Sequence, residues 1–405
     1  MFNNEKFKLR TMHAQNGDGS PNNSAGQANV QSQVSENPVG PECRRTLATA
    51  SYSANAAVAI DIPRDTVIKR IEHNFTLGCT ATYASGAFTV SPLACITKVI
   101  PNYYLVADGS RNIKVLDLYM SRCMSALAFG SFPRRAYQTG ASLLASTLQP
   151  TTEHLAGTVA GGATTQDFIY NEIVPVHFEN PFAYSVGKSI SLLYTKNLST
   201  CTQTFGFATI DNILNAANAA LAFSAITCNV VSTIVENRDA DISAGAFDFT
   251  ETVIRKQYSS QTTLSNIDLN TGNKLTGLGL MVQDGGATRL PSDVACTDLN
   301  LVVNGATSIQ STNFKRLMNA NKSRYSLGDD QFASGVHALN GFAYMNLIKD
   351  GNLLSGLDTR LVAGVSQVQL QVSTASSTGV DPATYTNPVQ ISVLQQQMIP
   401  VPVKS

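Results

Sequence analysis

A strand-and-turn pattern that occurs twice constrains the fold of this chain more than any other feature. Residues 266–310 read as three short strands, in which apolar and polar residues alternate before Asp-Gly and Asn-Gly turn signals. About two hundred residues earlier, residues 60–62 (IDI) correspond to 267–269 (IDL), and the Asp-Gly pair at 108–109 corresponds to the Asn-Gly pair at 304–305. Because strands and turns follow in the same order, we predict that one β unit occurs twice.

The correspondence extends through both halves of the chain. Further matched segments lie at 71–75 and 278–282, at 113 and 309, at 174–178 and 343–347, at 190–194 and 368–372, and at 226–236 and 388–398. The offset between matched residues falls from about 207 to about 163, so the first unit is expected to carry the longer insertions. Such insertions belong in loops, where extra length costs little free energy.

Hydrophobic periodicity predicts strands and helices in the same order in both units. In the first unit, strands are predicted at residues 51–62, 66–77, 96–106, 168–178, 189–194 and 226–235, with helices at 113–128 and 210–223. In the second unit, strands are predicted at 253–269, 274–283, 297–303, 339–349, 365–372 and 389–398, with a helix at 312–320 or slightly beyond. Each unit therefore has a helix directly after its third strand run.

Composition divides the chain into five parts. Residues 1–45 form a polar, low-complexity tract with no aromatic residue between Phe7 and Tyr52, so we expect a flexible N-terminal arm. The arm either becomes ordered on neighbouring subunits or is a plain disordered tail. Residues 237–252 are charged, small and turn-prone, which favours a linker between a first unit at 46–236 and a second at 253–400. Residues 401–405 form a short tail.

Low charge is the main compositional signal. Charged residues make up 14% of the 405 residues, against roughly 25% in average proteins. A surface so poor in Lys and Glu has little repulsion to keep it monomeric, so we expect other copies of the chain to cover much of it. A secreted or low-charge β protein is the alternative. The net charge of zero gives no reason to expect binding to nucleic acid or to an anionic membrane.

Cysteine usage and the N-terminus favour a soluble protein made inside the cell. The seven cysteines contain no C-x-x-C pair, and their odd number fits a reducing cytoplasm. Cys79, Cys95 and Cys296 lie in or beside apolar strand patterns, where buried free thiols are expected. The N-terminal residues lack the apolar segment of a secretory signal, and no run approaches the ~18 apolar residues that span a bilayer.

Residue patterns for catalysis or metal binding are absent from the sequence. The five histidines (13, 73, 154, 177 and 337) belong to no known catalytic motif, and His73 and His177 are expected to be structural residues within strands. The Gly-x-Gly at 277–279 has no following helix, so it favours a close backbone approach or a bulge rather than a phosphate site. Asp284, Asp293 and the pair at 329–330 adjoin turn residues, which explains them without a metal. We therefore expect no catalytic, cofactor-binding or metal site.

Three blocks of sequence carry a resemblance to a known family. They are residues 273–286 (NKLTGLGLMVQDGG), 297–317 (TDLNLVVNGATSIQSTNFKRL) and 342–372, in which apolar strands are joined through Lys-Asp-Gly and Leu-Asp-Thr-Arg. In pattern and order, residues 46–400 resemble the double jelly-roll major capsid proteins of tailless icosahedral viruses, the lineage of membrane-containing phages and adenovirus-type hexons. The resemblance implies an all-β fold of two tandem eight-stranded jelly rolls with short helices in loops. The low charge and the lack of Trp depart from the family pattern.

The same resemblance implies a structural role in a virion. It implies a homotrimer whose six jelly rolls form a pseudo-hexagonal tile, and neighbouring trimers that pack into an icosahedral shell. Minor capsid proteins, vertex (penton) proteins and an internal viral membrane are further implied partners, whereas sequence-specific nucleic acid is not. Loops such as 131–166 and 373–387 would then form outward towers or contacts between tiles.

Two other classes of function remain open from the sequence. A phage or bacterial β-sandwich adhesion or carbohydrate-binding protein would need an exposed aromatic platform, for which Tyr103 and Tyr104 are the candidates. An enzyme on a jelly-roll scaffold should show a cluster of His or carboxylate residues. The absence of Trp and of such a cluster favours the capsid hypothesis over both.

Overall fold

A computed structural model gives the structure of twelve stretches of the chain. The described residues are 43–83, 99–129, 136–139, 165–183, 189–210, 221–236, 247–284, 291–325, 331–333, 336–337, 341–375 and 388–401. The predicted N-terminal arm up to residue 42, most of loop 131–166 and most of loop 373–387 lie outside them.

The N-terminal sandwich is formed by the elements up to residue 236. They are β1 (Cys43–Ser51), β2 (Ala57–Asp61), β3 (Val67–Tyr83), β4 (Asn102–Ala107), β5 (Arg111–Leu116), α1 (Leu118–Phe129), β6 (Ala136–Thr139), β7 (Thr165–His177), β8 (Leu193–Tyr194), β9 (Cys201–Gly206) and β10 (Leu221–Glu236).

The C-terminal sandwich is formed by the elements after it. They are β11 (Phe247–Tyr258), β12 (Thr262–Asp268), β13 (Lys274–Gln283), β14 (Cys296–Val303), β15 (Thr307–Asn313), α2 (Phe314–Arg324), β16 (Gln331–Ala333), β17 (Val336–His337), β18 (Phe342–Asn346), β19 (Leu357–Asp358), β20 (Val368–Thr374) and β21 (Val389–Pro400).

Eight strands of each sandwich have the same spatial order. We number these eight strands from one to eight along the chain within each sandwich, and the short strands β6, β8, β16, β17 and β19 are left out. In each sandwich, one sheet then has the order 1-8-3-6 and the other has the order 2-7-4-5. In the N-terminal sandwich these are β1-β10-β3-β7 and β2-β9-β4-β5, and in the C-terminal sandwich β11-β21-β13-β18 and β12-β20-β14-β15. This order is that of a jelly roll, so the all-β double unit predicted from the sequence is confirmed.

The two sandwiches are joined within a single sheet. Strand β5, the last of its four-stranded sheet, pairs in parallel with β11, with Glu251 opposite Lys114 and Thr252 opposite Val115. In the described part of the chain, this contact creates a nine-stranded sheet with the order β18-β13-β21-β11-β5-β4-β9-β2, with β19 beside β13, which we call the central sheet. The central sheet therefore supplies one wall of each sandwich.

Each sandwich has its own apolar core between its two sheets. The N-terminal core includes Ile71 of β3, Val230 of β10 and Leu105 of β4. The C-terminal core includes Leu278 of β13 and Leu301 of β14. All five side chains are buried, as the alternation of apolar residues along these strands requires.

Two hairpin turns confirm the duplicated pattern in detail. Asp108 and Gly109 between β4 and β5 have φ angles of 52° and 75°, and Asn304 and Gly305 between β14 and β15 have 52° and 70°. Asp, Asn and Gly are the residues that adopt this left-handed conformation most readily. A side-chain oxygen of Asp108 accepts a hydrogen bond from the backbone of Ser199 at 2.7 Å, and Asn304 accepts one from Ser366 at 2.9 Å.

The predicted helices need three corrections. Residues 113–116 of the first predicted helix belong to strand β5, and the helix begins only at Leu118. Of the predicted helix at 210–223, residues 221–223 belong to β10, and 211–220 lie outside the described residues. The third helix begins at Phe314 rather than 312, because the Asn313 side chain accepts hydrogen bonds from the backbone N–H groups of Lys315 and Arg316 and caps it.

The predicted strand at 189–194 and its match to 368–372 are wrong. Residues 189–191 form a 3-10 turn, and β8 is a two-residue strand on the edge of β3. Its equivalent is β19, which lies on the edge of β13. The strand of the N-terminal sandwich that corresponds to β20 is β9 (CTQTFG). The sequence did not indicate β9 as a strand, because a glutamine, Gln203, occupies one of its three buried positions.

Two predicted boundaries and two predicted strands also change. Residues 247–252 of the predicted linker belong to β11, and residues 43–45 of the predicted arm belong to β1. The predicted strands at 51–62 and 253–269 are each interrupted by a turn, which separates β1 from β2 and β11 from β12.

Candidate functional site at the junction of the two sandwiches

Helix α1 fills the space between the two sandwiches. It packs on β7 of the N-terminal sandwich and contacts β13 and β18 of the C-terminal one. All its residues from Leu118 to Leu127 are buried, so this helix is covered on every side. Met281 and Tyr344 of the C-terminal sandwich consequently belong to the same apolar cluster as the N-terminal core.

A row of polar side chains crosses the central sheet where the sandwiches meet. Lys114 of β5, Glu251 of β11 and Gln396 of β21 lie directly opposite one another on three adjacent strands. Lys114 Nζ donates to Glu251 Oε2 at 2.8 Å, and Gln396 Nε2 donates to Glu251 Oε1 at 2.8 Å. All three residues are buried, with Lys114 0% and Gln396 1% exposed. We call these three residues the junction row.

Tyr344 of β18 extends the junction row towards the edge of the sheet. Its hydroxyl group donates to Gln396 Oε1 at 2.9 Å. The ring lies over Gly277, where a methyl group would come within 2.7 Å of the Tyr344 Cζ atom. The Gly-x-Gly at 277–279 is therefore explained by close packing, with a bulge between Leu275 and Gly277.

The Asn321 side chain of α2 fixes the backbone of Tyr344. Its amide nitrogen donates to the Tyr344 carbonyl oxygen at 2.8 Å, and its amide oxygen accepts from the Tyr344 N–H at 2.6 Å. The two bonds continue the β ladder on the outer side of β18. Tyr344 is thus held by the backbone as well as by its ring contacts.

Burial controls the protonation of the junction row. Desolvation lowers the pKa of Lys114, and the nearby Glu251 carboxylate opposes this effect. The Lys114 Nζ atom lies 4.4 Å from the ring centre of Phe249 and 5.2 Å from that of Phe178, so aromatic rings rather than water surround it. Burial raises the pKa of Tyr344 well above its usual value, which keeps its hydroxyl group protonated as a donor. An amine, a carboxylate and a carboxamide therefore meet in a dry, polarised environment.

Two more ion pairs flank the junction row. Arg111 of β5 lies 3.1 Å from a carboxylate oxygen of Asp248 in β11. At the other end, Arg255 of β11 lies 3.7 Å from Asp117. Desolvation raises the pKa of both carboxyl groups, and the arginines oppose it. Charged pairs thus connect the two sandwiches along the whole β5–β11 contact.

His73 and His177 take structural positions in the sheet of the N-terminal sandwich. His73 is fully buried, its Nδ1 atom lies 3.0 Å from Ser232 Oγ, and desolvation lowers its pKa to about 3, so the ring is neutral. His177 Nε2 lies 3.2 Å from Ser125 Oγ. His13 and His154 lie outside the described residues.

The acidic and aromatic candidates are separated in space. Within the twelve described stretches, no three His, Cys, Asp or Glu side chains come together in a group that could hold a metal ion. Asp293 lies 3.8 Å from Lys315, and residues 329–330 are outside the described parts. Tyr103 is fully buried while Tyr104 is 37% exposed, so the two do not form one aromatic platform.

The junction row was not predicted from the sequence. Lys114 lay in a predicted helix and Glu251 in a predicted linker. One signal was available: three consecutive glutamines at 395–397 break the alternation of apolar and polar residues that the strand shows from Val389 to Val393. Buried amides need hydrogen-bond partners, so this run points to polar partners on neighbouring strands.

No helix among the described residues has the length and apolar character needed to cross a membrane.

Comparisons with known proteins identify the fold. No protein-family model and no curated protein matches the sequence. Among solved structures, the chain is similar to the crystal structure of the STIV MCP, with a TM-score of 0.60, 12% identity, and coverage of 89% of this chain and 97% of the other. A chain in the atomic structure of Sulfolobus turreted icosahedral virus gives a TM-score of 0.60 and 12% identity, covering 89% and 91%. Over nearly its whole length, the chain therefore has the double jelly-roll fold.

Proposed function

We propose that this chain is the major capsid protein of an icosahedral virus. The observation that carries the proposal is the pair of identical strand orders, 1-8-3-6 and 2-7-4-5, fused through the parallel β5–β11 contact. The similarity to the STIV MCP covers almost all of both chains. A structural protein needs a rigid wall rather than a reactive cleft, and the fused central sheet with the enclosed helix α1 is such a wall.

The finer proposal is a homotrimer in which six sandwiches form a pseudo-hexagonal tile. Two sheet edges support it. Among the described residues, strand β15 pairs only with β14, and strand β1 pairs only with β10, so each has one open edge. Their counterparts in the other sandwich, β5 and β11, cover each other's edges. Edges of this kind pair readily with another chain, so both are available for contacts between copies. The 14% content of charged residues is consistent with a surface largely covered in an assembly.

The proposed setting is the virion shell, with synthesis in the host cytoplasm. Trimers would pack against neighbouring trimers, minor capsid proteins and vertex proteins, and an internal membrane is a further proposed contact. The arm, which is residues 1–42 once the three residues of β1 are excluded, is assigned to contacts between trimers. Removal of residues 1–40 should leave the trimer folded and impair particle formation. Failure of the trimer itself would instead place the arm within the folded unit.

The mass of the purified protein tests the proposal directly. Light scattering coupled to size exclusion should give a stable particle of three times 43.1 kDa. Electron microscopy under assembly conditions should show closed or sheet-like arrays. A persistent monomer that binds glycans would overturn the capsid proposal in favour of an adhesion or carbohydrate-binding protein.

A further inference from the structure

We propose that Lys114 and Gln396 become joined by an amide bond between their side chains, formed by the protein itself with Glu251 as the proton carrier. The bond would tie β5 of the N-terminal sandwich to β21 of the C-terminal sandwich. Each residue lies in a strand at the junction, and both side chains are buried. The inference concerns a single chain, so it does not depend on the proposed capsid function.

The positions of the three side chains carry the proposal. Since Lys114, Glu251 and Gln396 occupy one row of adjacent strands, the Cα atoms of Lys114 and Gln396 are about 10 Å apart at the usual strand spacing. The four-carbon stem of lysine and the two-carbon stem of glutamine together cover that span. Both nitrogen atoms already contact the same carboxylate, at 2.8 Å each, one on each oxygen. The carboxylate therefore stands between the attacking amine and the amine that leaves.

The reaction balances without any further reagent. From the ion pair, the Lys114 ammonium passes one proton to Glu251 Oε2, and the neutral Nζ attacks Cδ of Gln396 to form a tetrahedral centre. The carboxylic acid of Glu251 gives this proton to Nε2, the C–Nε2 bond breaks, and the carboxylate takes the second proton that Nζ must lose. That proton leaves with the ammonia as ammonium, so one N–C bond forms, one breaks, and Glu251 returns to its carboxylate form. No oxidant, metal or nucleotide takes part.

The surroundings supply what this step requires. An attacking lysine must lose its proton, and the enclosure of Nζ by Phe178 and Phe249 disfavours the charged form. The Tyr344 hydroxyl group donates to Oε1 of Gln396, the atom on which negative charge develops. Exclusion of water by α1 and the two sandwiches prevents hydrolysis of the amide as a competing reaction. An ion pair between Lys114 and Glu251 that served only to join two strands would need neither the Gln396 carboxamide nor the Tyr344 hydroxyl group that donates to it.

Intact mass spectrometry of the denatured full chain tests the proposal. The purified protein should be lighter than its sequence predicts by about 17 Da, the mass of ammonia. Trypsin should no longer cut after Lys114, and the digest should contain a branched peptide that joins residues 112–122 to residues 361–404. A chain with its full mass, which releases two ordinary peptides at Lys114, would overturn the proposal.

Matched variants identify the groups that react. Lys114→Arg and Glu251→Gln should each restore the full mass expected for their own sequences. Lys256→Arg changes an exposed lysine on the same strand as Glu251 and should keep the loss of about 17 Da. A mass loss that persists in Lys114→Arg would overturn the proposal, as would a loss of about 18 Da with Lys114 joined to Glu251. If either junction variant fails to fold, the wild-type mass and branched peptide still decide the question.

Tyr344→Phe tests the donor on Oε1. The ring and its packing over Gly277 remain, but the developing charge loses a hydrogen bond, so bond formation should slow by roughly 10²-fold. Freshly synthesised protein sampled over time should show a persistent unjoined fraction. Joining at the wild-type rate would contradict this role of Tyr344.

Discussion

The two sandwiches have one strand order but differently composed cores. In the N-terminal core, Tyr103, Gln203, Ser232 and His73 form a buried chain of hydrogen bonds of 3.2, 3.0 and 3.0 Å. The register of the strands places their C-terminal equivalents at Leu299, Leu370, Val393 and Leu280, all of which are buried and apolar.

This difference shows that the jelly roll tolerates either a hydrogen-bonded or an aliphatic core at the same four positions. A connected polar chain is tolerated because each of its four side chains makes at least one hydrogen bond, even though His73 Nε2 has none among the described residues. An isolated polar group in either core would be costly. Exchanging side chains between the two cores, and changing single groups within each sandwich, tests that interpretation.

The largest effect is expected when a histidine is placed in the aliphatic core. Leu280→His should lower the free energy of unfolding by about 4 kcal/mol, because the equivalents of Ser232 and Gln203 there are Val393 and Leu370, which offer no hydrogen bond. Urea denaturation measures the change. His73→Leu is the matched control, since it places leucine where the other core already has it, and it should be tolerated better. Equal losses from both variants would contradict the comparison.

Acid should destabilise the N-terminal core through His73. The folded pKa is lowered to about 3 by burial, while the unfolded value is about 6.5. Between these values the unfolded chain binds a proton that the folded chain does not, so stability falls as the pH falls. From pH 6.5 to 5 the loss should be about 2 kcal/mol, and His73→Leu should remove that part of the pH dependence. Denaturation curves at several pH values check this, and an unchanged slope in the variant would refute it.

A methyl group at Gly277 should cost about 2 kcal/mol of stability, because it would overlap the Tyr344 ring. Gly206→Ala is the control, since a methyl group there meets its nearest atom at an ordinary 3.5 Å. Thermal unfolding of both variants should separate them clearly. Equal midpoints would show that the C-terminal sheet adjusts more easily than its packing suggests.

The smallest loss of stability is expected when one hydroxyl group is removed from the buried hydrogen-bond chain of the N-terminal core. Tyr103→Phe should cost about 1 kcal/mol, because the Gln203 amide oxygen loses its donor in a dry core. Tyr104→Phe removes the same group from the neighbouring, partly exposed residue and should be close to neutral. Urea denaturation of the pair gives the difference directly, and equal values would mean that the polar chain contributes nothing.

The contrast between the cores also explains what the sequence could predict. The C-terminal strands follow the hydrophobic period closely, as in Leu278, Leu280 and Val282, so their positions and the Asn-Gly turn were readable. In β9 the buried positions are Cys201, Gln203 and Phe205, and a buried glutamine looks like an exposed one until its partner is known. The start of helix α1 was hard to predict for the same reason. A helix that is buried on every side lacks the alternation of apolar and polar faces by which a surface helix is recognised.

The junction row was out of reach for a related reason. Lys114, Glu251 and Gln396 are each separated by more than a hundred residues in sequence. The parallel pairing of β5 with β11 and the antiparallel pairing of β11 with β21 bring them together. Local patterns assign charged residues to turns, linkers and exposed faces. A buried ion pair between distant strands violates that rule, and its partners are set by the tertiary fold alone.

We propose that three copies of this chain, each with two fused jelly rolls, form one tile of a viral shell. Cryo-electron microscopy of the purified, assembled protein tests it most directly. We predict tiles of three chains with six sandwiches arranged pseudo-hexagonally, with β1 or β15 at the contacts between chains. Isolated single chains under all assembly conditions, with both edges open to solvent, would contradict the claim.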